Sequence, residues 1–192
     1  MTAALLLRAL FWLWFLGALA AGHFLLLQRL PPAAIPAVIF GLVAVLLSAL
    51  FRITALRTWI MTLDLRALVL VHLTRFVGIY FLVLHQRGEL PYAFAVPAGI
   101  GDIAVAVMAL PVAFAPLEAG PRRRVIVIWN TVGLVDILLV IASAARINLT
   151  APGELRALTH LPLSLLPTFL VPLIIVTHVI LYVRTKRGQP LF

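Results

Sequence analysis

The sequence predicts an all-α, polytopic integral membrane protein with six transmembrane helices, organised as a single domain over residues 1–192. Hydrophobic residues make up 64% of the chain and charged residues only 11%, and the mean hydropathy is +1.17. A soluble domain is far less apolar. The apolar residues also fall in stretches of about 20, the length that crosses a bilayer core of about 30 Å as a helix.

The six predicted spans are about 4–28, 33–51, 67–86, 92–114, 125–145 and 161–183. Prolines, glycines and charges separate them, as helix breakers do. The first span has an alternative reading, because Ala18-Leu19-Ala20 after Arg8 imitates the cleavage site of a secretory signal. The apolar run begins before Arg8 and continues to Leu27, which is too long for a signal and favours a span.

The basic residues predict how the spans are oriented. Loops rich in Lys and Arg stay cytoplasmic, and most of the basic residues fall on one side of the predicted spans: Arg8, Arg52, Arg57, Arg66, Arg122, Arg123, Arg124, Arg184, Lys186 and Arg187. We therefore expect a multi-pass protein of the plasma (inner) membrane with both termini cytoplasmic. Short clusters between apolar spans indicate contact with the lipid bilayer and no nucleic-acid partner.

A short interfacial helix is predicted over residues 53–64. Ile53, Leu56, Ile60 and Leu63 recur at helical spacing, and Trp59 stands beside this stripe. An amphipathic helix of this kind lies on the surface of a leaflet. A plain extended loop is the alternative.

The fourth span carries small residues along one helix face. This face contains Ala95, Gly99, Asp102, Ala106, Ala109 and Ala113. Small side chains allow a neighbouring helix to approach closely, so this face should contact protein. The fifth span repeats the Gly-x-x-Asp-Ile pattern at Gly133 and Asp136, which either hints at an internal duplication or arises by chance.

Three charged residues lie deep in the predicted spans. Arg75, Asp102 and Asp136 all fall near the middle of the bilayer, where an ionisable residue needs a partner and is a candidate for function. One arginine cannot neutralise two carboxylates, so one Asp holds a proton or another group supplies positive charge. His72 and His178 are candidates for that group. The structural alternative is a salt bridge that only fixes which helices pair.

More polar residues are expected to extend this site. Asn130 and Trp129 lie on nearly the same face of the fifth span as Asp136, and Ser164, Thr168 and His178 share a face of the sixth. Pro162, Pro167 and Pro172 free backbone carbonyls there, which predicts a cavity or a hinge. Alternatively, Ser164 and Thr168 bond their own backbone and the prolines only kink the helix.

The leading functional hypothesis is a small membrane transporter or solute-binding protein, with proton coupling as an option. In this hypothesis, Arg75 binds an anionic solute, and Asp102 and Asp136 share protons or bind a cation. His72 and His178 relay a proton. A small solute or ion and a homo-oligomer are the expected partners, and no cofactor or metal is predicted.

Three other functions remain open. The first is an electron-transfer subunit with haem b held by His72 and His178. A two-haem version adding His85 and His160 is disfavoured, because His85 lies roughly 140° around the helix from His72. An intramembrane lipid-modifying enzyme and an assembly or anchor subunit without a site are the others.

Overall fold

The computed structural model describes residues 3–31 and 33–186, and these residues form a bundle of helices. Pro32 and Arg187, which belong to the predicted first break and basic tail, lie outside the described residues. The α-helices are α1 (Ala3–His23), α2 (Ala34–Arg52), α3 (Thr54–Met61), α4 (Leu65–Leu70), α5 (Val77–Gln86), α6 (Tyr92–Phe114), α7 (Ala119–Thr150) and α8 (Val171–Lys186).

Two irregular segments matter for the site. A 3-10 segment, Val71–Phe76, joins α4 to α5, so that the three pieces make one continuous span. A π-helical turn, Leu166–Leu170, precedes α8. Such interruptions change the number of residues per turn, and they therefore rotate one half of a span relative to the other.

Six helices in the described chain are long and apolar enough to cross a membrane, which confirms the predicted all-α class and the predicted number of membrane-length helices. They are Leu5–His23, Ala34–Arg52, Leu65–Gln86, Tyr92–Phe114, Ala119–Thr150 and Leu166–Lys186.

Three helix boundaries differ from the predicted spans. The first helix ends at His23, because Leu25 takes a left-handed conformation with φ 53°. The fifth runs from Ala119 to Thr150, beyond its apolar window, since backbone hydrogen bonding does not depend on apolar side chains. The sixth begins at Leu166, because Pro162 and Pro167 remove the backbone donors that an earlier start needs.

The segment predicted as an interfacial helix contains α3. Its residue Ile60 is buried, and Leu56, Trp59 and Leu63 pack against the main apolar core. Ile53, which the stripe includes, is 49% exposed. Most of the apolar stripe therefore faces the bundle, and the position of α3 at a lipid surface stays a prediction.

The two ends of the bundle differ in charge. We call the end with the 53–64 and 115–124 segments the Arg-rich end, and the end with the 87–91 and 151–165 segments the Arg-poor end. A large apolar cluster, which includes Val69, Val105 and Ile180, fills the Arg-rich half and extends along α7 to Ile141. A smaller cluster around Phe81 and Phe94 fills the Arg-poor end. Along the third span and α6, buried polar residues lie between these clusters.

Glycines bring α5 and α6 into backbone contact. A Cβ atom on Gly78 would lie 2.5 Å from the carbonyl oxygen of Gly99, and a Cβ atom on Gly99 would lie 2.8 Å from that of Gly78. The small residues predicted to form one face of α6 are all buried. Close backbone approach is what small residues contribute at helix contacts in membranes.

Substituting Gly78→Ala should destabilise the fold, since the added methyl group has no space between α5 and α6. We expect a loss of about 1–3 kcal/mol, typical of overpacking, and a lower temperature of unfolding followed by circular dichroism in detergent. Gly41→Ala is the matched control, because nothing lies within 4 Å of a Cβ atom at Gly41. Equal melting of the two variants would contradict the close approach.

Candidate functional site

Arg75 joins three spans through one side chain. It lies on the 3-10 segment and is 1% exposed. Its Nε donates to Oδ1 of Asp102 at 2.6 Å, Nη1 donates to the carbonyl oxygen of Gly133 at 2.8 Å, and Nη2 donates to Oδ2 of Asp136. We call Arg75, Asp102 and Asp136 the ion triad. The sequence predicted that Asp102 and Asp136 lie near Arg75, from the depth of the three residues in their spans.

The charges of the ion triad do not cancel. One guanidinium and two ionised carboxylates leave one negative charge, in a place where Asp102 is 3% exposed. An uncompensated charge inside an apolar bundle costs several kcal/mol. One proton or one further cation would make the ion triad neutral.

Glycines make room for the ion triad. A Cβ atom on Gly133 would lie 2.9 Å from Cε1 of His178, and one on Gly101 would collide with Oδ1 of Asp136. The two Gly-x-x-Asp-Ile stretches therefore share a physical role: each places a glycine close to a neighbouring helix, one turn before a carboxylate that binds Arg75.

The two histidines of the site pack against each other. His72 and His178 are fully buried, and their ring centroids are 4.3 Å apart. Nδ1 of His178 lies 2.8 Å from the side-chain oxygen of Asn130, so this network assigns the proton to Nδ1. The Asn130 amide in turn donates to the His178 carbonyl oxygen at 3.1 Å.

Each ring keeps one nitrogen without a partner. Nε2 of His72 lies 3.3 Å from the hydroxyl oxygen of Thr177, and that hydroxyl donates to the Ile174 carbonyl oxygen at 2.7 Å. Within the described part of the chain, Nδ1 of His72 and Nε2 of His178 have no hydrogen-bond partner. Both are therefore available as acceptors of a proton.

These histidines, as they lie, do not fit a haem between them. With ring centroids 4.3 Å apart, the imidazoles are in direct contact and leave no space for a porphyrin. His85 and His160, the second pair, have separate partners: His85 Nδ1 lies 3.1 Å from the Leu90 carbonyl oxygen, and His160 Nε2 lies 3.0 Å from the Gln28 amide.

A cavity of about 80 Å³ extends from the ion triad toward the Arg-poor end. Arg75 and Asp102 line its inner part, and its walls are mostly apolar, with Phe81 and Phe94 among them. Ile35, Asn148 and Leu155 also line a groove of about 250 Å³ near Gln28 and Arg156, so the cavity and the groove adjoin.

A second space lies on the other side of the ion triad. A groove of about 600 Å³ runs between α6 and α7, from Gly101 and Asp136 to Leu117 and Val125 near the Arg-rich end. Asp102 lines the cavity and Asp136 lines this groove. The two carboxylates bound to Arg75 thus face different spaces, on opposite halves of the bundle.

Seven of the nine predicted site residues come together. Asn130, Trp129, His72 and His178 lie beside the ion triad, although the Trp129 indole donates to the Val105 carbonyl oxygen at 3.0 Å and to neither Asp. The sequence did not identify Thr74, Phe81, Phe94, Asn148 or the Gly133 carbonyl. Only Gly133 carried a signal, through the repeated Gly-x-x-Asp pattern.

Ser164 and Thr168 are not part of the site. The Thr168 hydroxyl donates to the Ser164 carbonyl oxygen at 2.8 Å, and Ser164 faces Gly22 of α1. The prediction assumed one regular helix, but the π-helical turn at Leu166–Leu170 holds more residues per turn than an α-helix. This rotates Ser164 and Thr168 away from the face of His178.

The chain is similar to one family of known proteins. Residues 32–184 match the family model described as a domain of unknown function, DUF8737. This range contains α2 to α7, most of α8, and the whole ion triad. No curated protein and no solved structure matches the chain.

Arg75→Met should destabilise the protein strongly, because two buried carboxylates lose their counter-charge. We expect about 3–5 kcal/mol, the usual cost of removing one partner of a buried ion pair, measured by chemical unfolding in detergent. Adding Asp102→Leu and Asp136→Leu should restore most of that stability, since apolar replacements of whole ion clusters are often neutral. Equal losses in both variants would indicate that Arg75 acts through packing alone.

Proposed function

We propose that the chain, which belongs to the DUF8737 family of domains of unknown function, is an integral membrane transporter. It binds a small solute in the cavity beside the ion triad and couples the movement of that solute to a proton carried by Asp102 or Asp136. One observation supports this most: the two carboxylates share one guanidinium but line spaces that lead to opposite ends of the bundle.

The charge of the ion triad favours a proton or a cation as the coupled species. Nε, Nη1 and Nη2 of Arg75 donate to Asp102, Gly133 and Asp136. With both carboxylates ionised, an anionic solute would add a second excess negative charge beside Asp102 and Asp136, whereas a proton or cation neutralises the one already there. The geometry therefore supports Arg75 as the holder of the carboxylates rather than as the solute's own ligand.

The histidine pair suits a proton relay toward the Arg-rich end. His178 lies against Gly133, whose carbonyl holds Arg75, and His72 contacts the ring of His178. Both rings offer an unpartnered nitrogen within the described chain. Imidazole exchanges protons near neutral pH more readily than other side chains.

An anchor or assembly subunit is the second candidate, and the same contacts favour it. The Arg75 side chain ties the third span to α6 and α7 without needing a solute. The cavity beside Asp102 separates the two functions, because a purely structural ion cluster gains nothing from an adjoining space.

Measuring proton movement driven by a solute tests the proposed transport function. Protein in liposomes that contain a pH-sensitive dye should report a pH change when one of a panel of small amines, acids or sugars is added. Asp102→Asn and Asp136→Asn should reduce the signal to that of empty liposomes, because a side-chain amide, unlike a carboxylate, does not take up and release a proton. Asp64→Asn is the matched control, since Asp64 caps α4 outside the ion triad and Asn caps equally well.

The two candidates predict different results for the carboxylate variants. Full activity in a folded Asp102→Asn protein would contradict proton carriage by that residue. Lower stability in both variants, with no solute response in the unmodified protein, would support the anchor.

The proposed orientation places both termini in the cytoplasm of a cell whose plasma (inner) membrane holds the protein. The chain has no cysteine, so single cysteines report position without background. Glu89→Cys should react with a membrane-impermeant maleimide on intact cells, and Gly120→Cys only after permeabilisation, since both residues are exposed at opposite ends. The reverse pattern would invert the orientation.

A further inference from the structure

We infer that the cavity beside the ion triad binds a small apolar amine as its alkylammonium ion, through Asp102, Phe81 and Phe94. This rests on the proposed function and names the class of solute for that site. The ammonium group would lie at the inner end of the cavity and the alkyl body along its walls.

Asp102 has an unused acceptor at the cavity. Its Oδ1 accepts from Arg75, and in the described part of the chain its other oxygen accepts no hydrogen bond, although the residue is 3% exposed and lines the cavity. An ammonium group donates hydrogen bonds and supplies the positive charge that the ion triad lacks, so it satisfies both needs.

The walls of the cavity select an apolar body. Among the residues that line it, only Thr74, Arg75, Asp102 and Asn148 are polar. The Thr74 hydroxyl donates to the Val71 carbonyl oxygen at 2.8 Å, which leaves its own oxygen free to accept from a ligand. A volume of about 80 Å³ holds roughly five to eight water-sized groups at about 10–15 Å³ each.

Two phenylalanines in this wall suit the alkyl body. Phe81 and Phe94 are 1% and 2% exposed, and their ring centroids are 5.4 Å apart. They belong to the apolar cluster at the Arg-poor end, where their rings offer apolar surface to an alkyl chain that extends from Asp102. An apolar solute without charge would use the same rings but would leave the ion triad unbalanced.

Binding of n-butylammonium to the purified full-length protein in detergent, measured by calorimetry, tests this inference. An alkylamine is protonated at pH 7, as a lysine side chain is. We expect saturable binding of n-butylammonium. 1-Butanol, which has the same alkyl body without charge, and butyrate, its anionic counterpart, should both bind at least about tenfold more weakly.

Variants test the assigned groups. Asp102→Asn should weaken n-butylammonium binding about tenfold or more, and Phe94→Leu, which removes part of the apolar wall, should weaken it by roughly two- to fivefold. Phe114→Leu is the matched control on the same helix, because Phe114 is 59% exposed and does not line the cavity. Should Asp102→Asn fail to fold, Ala144→Phe fills the cavity without altering the ion triad and should abolish binding.

Tighter binding of butyrate than of n-butylammonium, or unchanged affinity in the Ala144→Phe protein, would overturn the inference. Failure of the inference and failure of the proposed function are distinguishable. If n-butylammonium does not bind while another solute drives proton movement that requires Asp102, only the amine is wrong. If n-butylammonium binding requires Asp102 but no solute moves protons, the site stands and transport fails.

Discussion

The buried guanidinium of Arg75 is the constraint on which the rest of the bundle depends. A charge placed among apolar helices must be compensated by groups within reach of its donors. Arg75 meets this demand with a carboxylate from α6, and with a carboxylate and a carbonyl oxygen from α7. The third span must therefore lie against both helices at one depth, between the two apolar clusters.

Glycines make that convergence sterically feasible. Gly78 and Gly99 let α5 touch α6, Gly101 leaves space for Asp136, and Gly133 leaves space for His178 while lending its carbonyl to Arg75. A side chain at Gly78 or Gly99 would collide with the facing backbone, and one at Gly101 or Gly133 would collide with the side chain of Asp136 or His178. Packing and electrostatics are thus coupled: the small residues matter because charged residues must meet.

The same arrangement contains more than helix pairing requires. A salt bridge that only fixed helix pairing would need neither a second carboxylate nor a cavity at its side. Here Asp102 lines a cavity toward the Arg-poor end, and Asp136 lines a groove toward the Arg-rich end. The histidine rings in mutual contact add proton acceptors beside the ion triad and leave no room for a porphyrin.

The sequence by itself determined the six membrane-length helices, the positions of Arg75, Asp102 and Asp136 near the middle of three of them, and the buried face of α6, because apolar length and helical spacing are local properties. Only the tertiary structure decided which faces meet. The irregular turns at Val71–Phe76 and Leu166–Leu170 rotate the halves of two spans. This is why Ser164 and Thr168 lie outside the site, while Phe81, Phe94 and Asn148 line its cavity: a face drawn on a regular helix is wrong beyond an irregular turn.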